Sequence, residues 1–220
     1  MRDVCAVFDL DDTLYLERDY VVSGFNAVGQ WAAEWLSIPD FTERCLILFE
    51  RGRRGDIFDS ILRECGQVAT PQLVAGLVEL YRAHSPEIKM APDAEQVLTQ
   101  IHRCWPIAII TDGPVLSQTR KCKALGLASI ARPLVLTDIL GDGFRKPHKA
   151  AFEYVASCVE AKQFVYVADN PAKDFTAPKQ LGWITVRVRR PGGLHYDQPN
   201  EVVLPDFEIP NCSELPLILS

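Results

Sequence analysis

Val4-Cys5-Ala6-Val7-Phe8 is an unbroken apolar run that stops at a group of acids, Asp9, Asp11 and Asp12. A strand buried on both faces of a parallel sheet reads this way. Runs of similar length and β-branched content recur at Pro106 to Ile110, Pro133 to Leu136, Phe164 to Ala168 and Ile184 to Val188, and helical patterns fill the intervals. This alternation predicts an α/β fold with a doubly wound parallel sheet.

One interval breaks the rhythm. About a hundred residues separate the first two strands, where a single crossover helix needs only a dozen or more. Within it, Val21, Val22, Phe25, Val28, Trp31, Ala32, Trp35 and Leu36 follow helical spacing from Asp19 to Leu36, and Pro39-Asp40 ends the run. Thr42 to Phe49, Ile57 to Glu64 and Pro71 to His84 continue the helical pattern between the breakers Arg51-Gly52-Arg53-Arg54-Gly55 and Gly66. Residues 16–88 are therefore expected to form a helical cap inserted into a core made of residues 1–15 and 89–220. Beyond the last core strand, Arg190-Pro191-Gly192-Gly193 opens a loop-rich tail, with an edge strand expected at Pro205 to Ile209 and a short helix at Ser213-Glu214-Leu215.

Composition narrows the functional classes. The 220 residues carry 23 Lys and Arg against 29 Asp and Glu, a formal charge of −6, which disfavours nonspecific nucleic-acid binding. No apolar run approaches the ~18 residues of a membrane span, and Asp3 and Asp9 interrupt any signal-peptide core. A cytoplasmic protein with no membrane partner is expected; the sequence leaves the oligomeric state open. The seven cysteines form no CxxC pair and the four histidines are scattered, so neither a disulfide framework nor a zinc site is expected.

The candidate chemistry lies at strand ends. In extended backbone Asp9 and Asp11 share a face while Leu10 turns inward. Such acids often only shape a turn or cap a helix. Three within four residues repel one another unless a cation or a shared proton offsets them; a hard cation with oxygen ligands is the simplest remedy, and Mg²⁺ is the candidate. The run Val165-Tyr166-Val167-Ala168 ends in a second acidic site, Asp169 and Asp174, which adjacent parallel strands would bring to the same sheet edge. Ile109-Ile110-Thr111-Asp112-Gly113 supplies a hydroxyl and a glycine turn, and Arg145-Lys146-Pro147 supplies a cation. Thr111, the Gly113 amide and Lys146 could bind a phosphoryl group, although a lone lysine is more often on the surface and Asp112 more often caps the helix expected from Pro114.

Asp9-Leu10-Asp11-Asp12-Thr13, Thr111, Lys146 and Ala168-Asp169-Asn170-Pro171-Ala172-Lys173-Asp174 occur in an order that resembles the haloacid dehalogenase (HAD) superfamily. The stretch Thr111-Asp112-Gly113 with Gln118, Lys121 and Leu125-Gly126-Leu127 is similar to it as well. The resemblance implies a Rossmann-like core and a type-one helical cap. It makes Asp9 a nucleophile, Asp11 a general acid and base, Thr111 and Lys146 phosphate binders, and Asp169, supported by Asp174, a ligand of Mg²⁺ also held by the Asp9 carboxylate and the Asp11 main-chain carbonyl. Ala168 stands where Gly or Ser is usual, and Asp112 where Asn is common.

The implied activity is hydrolysis of a small phosphorylated metabolite through an aspartyl-phosphate. Asp11 argues against a dehalogenase, which has no alkoxide to protonate. The absence of lysine from residues 16–88 argues against a phosphonatase. A phosphomutase, or a binding protein that keeps the fold without turnover, remains an alternative. Arg51, Arg53 and Arg54 could favour a substrate with a second anionic group.

Overall fold

The computed structural model describes residues 2–200 and 203–219, with side chains from Val4 onward. Among the described residues the six strands are β1 (Arg2–Phe8), β2 (Ile107–Thr111), β3 (Leu134–Leu136), β4 (Ala161–Ala168), β5 (Ile184–Val188) and β6 (Phe207–Ile209). They lie in the order β3-β2-β1-β4-β5-β6, and every pair is parallel. The chain winds outward in both directions from β1, so the crevice at the carboxyl ends of β1, β2 and β4 is the place where such a sheet binds ligands. Register fixes what meets there: Phe8 pairs with Ile109 on one side and Val167 on the other, which brings Asp9, Thr111 and Asp169 to one edge.

The chain divides into two compact units, residues 1–17 with 88–220, and residues 18–87. The second comprises most of α1 (Glu17–Trp35) with α2 (Phe41–Glu50), α3 (Ile57–Glu64) and α4 (Pro71–Ala83). Its core is aromatic: Phe25 meets Phe49 and Phe58 edge-on, with ring centroids 6.2 and 6.0 Å apart, a geometry that adds to the burial itself. Helix α4 starts after Thr70, whose hydroxyl accepts the Leu73 N–H at 3.2 Å, and stops at His84, where the backbone becomes extended.

The sheet unit adds α5 (Pro92–Ile101), α6 (Val115–Ala124), α7 (Ala150–Cys158), α8 (Thr176–Gln180) and α9 (Leu215–Ile218). Phe152 on α7 packs edge-on against Tyr166 of β4 at 4.9 Å, beneath the edge that carries the acids. Strand β4 begins three residues before the expected apolar run. Its first positions, including Lys162 and Gln163, are polar, but pairing with the start of β1 holds them in the ladder. The terminal helical turn is a 3₁₀ turn, Cys212–Glu214, leading into α9. Among the described residues no helix is long and apolar enough to cross a membrane.

Candidate active site

Asp9 follows β1 directly, and its N–H donates to Val167 O at 2.9 Å, which locks its backbone to the neighbouring strand. Its carboxylate is buried and accepts Lys146 Nζ. Lys146 is no surface lysine: its side chain has 0% exposure, pairs also with Asp174 Oδ1 at 2.8 Å, and donates to Tyr166 Oη at 3.0 Å. Removing a lysine from water costs far more than one ion pair returns, so a lysine this deep needs several oxygen partners. Asp9, Asp174 and Tyr166 supply them. Asp174 is itself held by the Asn170 N–H at 3.0 Å.

Asp11 sits apart from this cluster. Lys121 Nζ lies 2.7 Å from its Oδ1, Tyr15 donates to the same oxygen, and Gln118 Nε2 donates to Oδ2 at 2.9 Å. Gln118 also reaches Thr111 Oγ1 at 2.6 Å, so one amide ties the general-acid candidate to the hydroxyl at the end of β2. Gly113 has φ +130°, a backbone conformation that side chains resist, and a Cβ there would meet Gln118 at 3.2 Å.

Two acids behave differently from the sequence expectation. Asp12, the third acid of the first run, does not share the cluster. With φ 55° it accepts the N–H of Glu17 and the N–H of Leu194, both at 2.8 Å, and so clasps two loops. Asp112 does not cap α6, whose first turn follows Pro114 without a side-chain cap. The turn at Gly113 separates Asp112 from that helix. Its carboxylate instead accepts Thr137 Oγ1 at 2.7 Å, the Lys146 N–H at 3.1 Å and Lys173 Nζ at 2.9 Å.

Electrostatics divides the two principal carboxyls. Burial pushes Asp9 up, to about 6, against the pull of Lys146. Burial also acts on Asp11, but the Lys121 charge and the hydrogen bonds from Lys121, Tyr15 and Gln118 outweigh it and hold Asp11 below the ordinary carboxylate range. Asp169 is held well above that range by burial and by the nearby Asp9 and Asp174. Among the described residues its Oδ2 is buried without a hydrogen-bond partner, and Asp9, Asp169 and Asp174 each offer an oxygen within 4.8 Å of the others. An orphaned buried carboxylate oxygen beside two further acids fits a hard divalent cation.

The cavity at this edge is about 130 Å³ and is lined by Asp9, Asp11, Glu17, Asp112, Asp169, Asn170, Lys173 and His195. Arg53 and Arg54, between α2 and α3, are engaged with neighbouring residues of their own unit. Arg53 pairs with Asp56 and donates to Ser60 Oγ at 2.9 Å; Arg54 donates to Phe49 O at 2.9 Å and places its guanidinium 3.8 Å from the Phe49 ring centroid.

The model of haloacid dehalogenase-like hydrolases matches residues 5–182. The chain belongs to this family. A glyceraldehyde 3-phosphate phosphatase of Methanopyrus kandleri is 30% identical over 96% of this chain and 94% of its own, and that of Methanocaldococcus jannaschii is 28% identical over 95% and 93%. With these relatives and this family, the HAD chain is a phosphatase. Its fold is similar to that of a magnesium-bound HAD hydrolase of Bacillus subtilis (TM-score 0.70, 18% identity, 100% of both chains) and to that of a 2-haloacid dehalogenase of Pseudomonas syringae (TM-score 0.66, 24% identity, 100% and 98%). The fold thus serves both chemistries, and the distinction between them rests on the side chains.

Sequence reasoning had not given functions to Lys121, Gln118, Tyr15, Glu17, Lys173 and His195. Gln118 and Lys121 lie three apart on α6 and so share a face, but on a helix such residues ordinarily read as solvated. Tyr15, at the end of an apolar stretch, reads as core.

Proposed function

We propose that this HAD phosphatase hydrolyses a small phosphate monoester with Mg²⁺, using Asp9 as nucleophile and Asp11 as acid and base. The observation that carries the reading is the division of the two carboxylates between separate lysines, Asp9 on Lys146 and Asp11 on Lys121. Two acids in different environments are what a nucleophile and a proton carrier require.

An Asp9 oxygen attacks phosphorus in line, the bond to the leaving oxygen breaks, and Asp11 gives that oxygen its proton. Water then attacks the aspartyl-phosphate, Asp11 accepts the water's proton, and phosphate leaves as the Asp9 carboxylate is restored. Asp9, Asp169, Asp174 and the Asp11 main-chain carbonyl would hold the Mg²⁺, which neutralises phosphate charge and favours ionised Asp9. Burial raises the Asp9 carboxyl to about 6, and a cation beside it would favour the ionised nucleophile further. Asp11 must acquire a proton before it can serve as acid, which requires a weaker hold by Lys121 than in this arrangement. Thr111 and the Gly113 amide complete the phosphate cradle with Lys146.

The relatives named for glyceraldehyde 3-phosphate favour a three-carbon phosphate ester. The engagement of Arg53 and Arg54 within their own unit supports a substrate without a second anionic group over the doubly anionic one that Arg51, Arg53 and Arg54 could recognise. The test is phosphate release from a panel holding glyceraldehyde 3-phosphate, sugar phosphates, nucleotides and nitrophenyl phosphate, with Mg²⁺ and with EDTA. Turnover that survives both EDTA and Asp9→Asn would overturn the mechanism.

A further inference from the structure

We infer that Lys173 is a second phosphate-binding cation of this site, positioned by Asp112. The inference rests on the phosphatase reading and adds a residue to it.

Five of the eight residues lining the cavity are carboxylic acids, Asp9, Asp11, Glu17, Asp112 and Asp169, while Lys173 supplies the single lysine or arginine among them. Lys146 is committed below this surface, with 0% side-chain exposure and its ammonium shared by Asp9 and Asp174. A phosphate dianion coming from solvent therefore meets Lys173, whose side chain keeps 34% of its exposure. A cation at the entrance of an acidic cavity offsets the repulsion that the approaching dianion would otherwise meet.

The lysine is held in place. Its Nζ lies 2.9 Å from Asp112 Oδ2. Asp112 cannot swing freely, because its Oδ1 accepts both Thr137 Oγ1 at 2.7 Å and the Lys146 N–H at 3.1 Å. One carboxylate thus joins the backbone of one lysine to the ammonium of the other and sets their separation. An ammonium has three N–H donors, and one ion pair uses one of them. The acid at position 112 becomes intelligible as an anchor: an asparagine there could accept a hydrogen bond from Lys173 but would not supply the opposite charge.

A role for Lys173 confined to neutralising Asp112 separates experimentally from phosphate binding. The probe is inorganic phosphate, measured as a competitive inhibitor of nitrophenyl phosphate hydrolysis by the full chain with saturating Mg²⁺. Lys173→Gln should weaken phosphate inhibition about ten- to hundredfold, the loss expected for one charged hydrogen bond. Lys173→Arg should stay within a few-fold of wild type. In the double variant Asp112→Asn, Lys173→Gln the acid no longer needs neutralising, and inhibition should remain as weak as in Lys173→Gln alone. Recovery of wild-type inhibition in the double variant, or unchanged inhibition in Lys173→Gln, would overturn the assignment. The magnesium-dependent shift in melting temperature, expected to persist in each variant, shows that the neighbouring site is folded, and Lys173→Arg carries the test if the glutamine variant is not. Hydrolysis of nitrophenyl phosphate by wild type tests the phosphatase reading by itself. A wild type inhibited by phosphate, with a Lys173→Gln variant inhibited equally, would remove Lys173 and leave that reading standing.

Discussion

Lys121 Nζ and Asp11 Oδ1 meet at 2.7 Å, with side-chain exposures of 6% and 20%, so the proposed proton carrier rests in an ion pair largely withdrawn from water. An ammonium at this distance favours the ionised carboxyl. Proton donation to a leaving group needs the other form, and Lys121 therefore helps set the pH above which Asp11 can no longer act as acid.

Lys121→Met should raise the Asp11 pKa. The alkaline limb of the pH–rate profile for an alkyl phosphate, which reports loss of the acid's proton, should then move to higher pH. Nitrophenyl phosphate needs little protonation, and its profile should barely move. Identical shifts for both substrates would take Asp11 out of the acid role. Asp11→Asn should slow alkyl phosphate turnover by about 10²–10⁴-fold, the usual contribution of a positioned acid or base.

The orphaned Asp169 Oδ2 and the raised Asp9 and Asp169 lead to a metal prediction. Mg²⁺ at about a hundred times its Kd should stabilise the fold by about 2.7 kcal/mol, several degrees in Tm. Asp169→Asn should remove most of that shift. Because Mg²⁺ must displace protons that these acids hold more tightly than usual, the shift should shrink as pH falls through 6 in the wild type. A full response in Asp169→Asn would place the metal elsewhere.

The acids at strand ends were legible because a polar group after a wholly apolar run has few structural explanations, and parallel register then brings Asp9 and Asp169 together without further information. The partners were not. Lys121 and Gln118 lie on α6, where the periodic pattern marks such residues as solvent-facing, and only their approach to Asp11 and Thr111 in the folded chain buries them. Asp12 illustrates the converse: adjacency in sequence suggested a shared site, but positive φ turns its side chain to the N–H groups of Glu17 and Leu194. The start of β4 was missed because its polar residues are fixed by ladder pairing, which leaves no mark on hydropathy.

Gly113→Ala tests the turn that follows β2. At φ +130° an alanine carries a strain of about 1–3 kcal/mol, and its Cβ presses on Gln118. Stability should fall by that amount. Activity should fall further than stability alone explains, because Gln118 links Thr111 to Asp11. A destabilised variant with unchanged kcat and KM would show that this link is dispensable.

Glu17 supplies a pH signature of the fold. It lines the acidic cavity, and burial followed by the nearby Asp11 pushes its carboxyl from 4.5 up to about 7, with Lys121 opposing. Between these values the unfolded chain has released the proton and the native protein still holds it, so the native state binds more protons. Stability attributable to Glu17 must then decrease as pH rises from about 4.5 to about 7, and change little above. Glutamine keeps the shape and never ionises, so Glu17→Gln should match wild type near pH 4.5, gain a Tm advantage through the window, and hold that advantage at pH 8. The measurement is Tm in EDTA at four or five pH values for both proteins. A difference that does not vary with pH would mean that the Glu17 carboxyl is as well solvated in the folded protein as in the unfolded chain, and its place in the cavity wall would then have no electrostatic consequence.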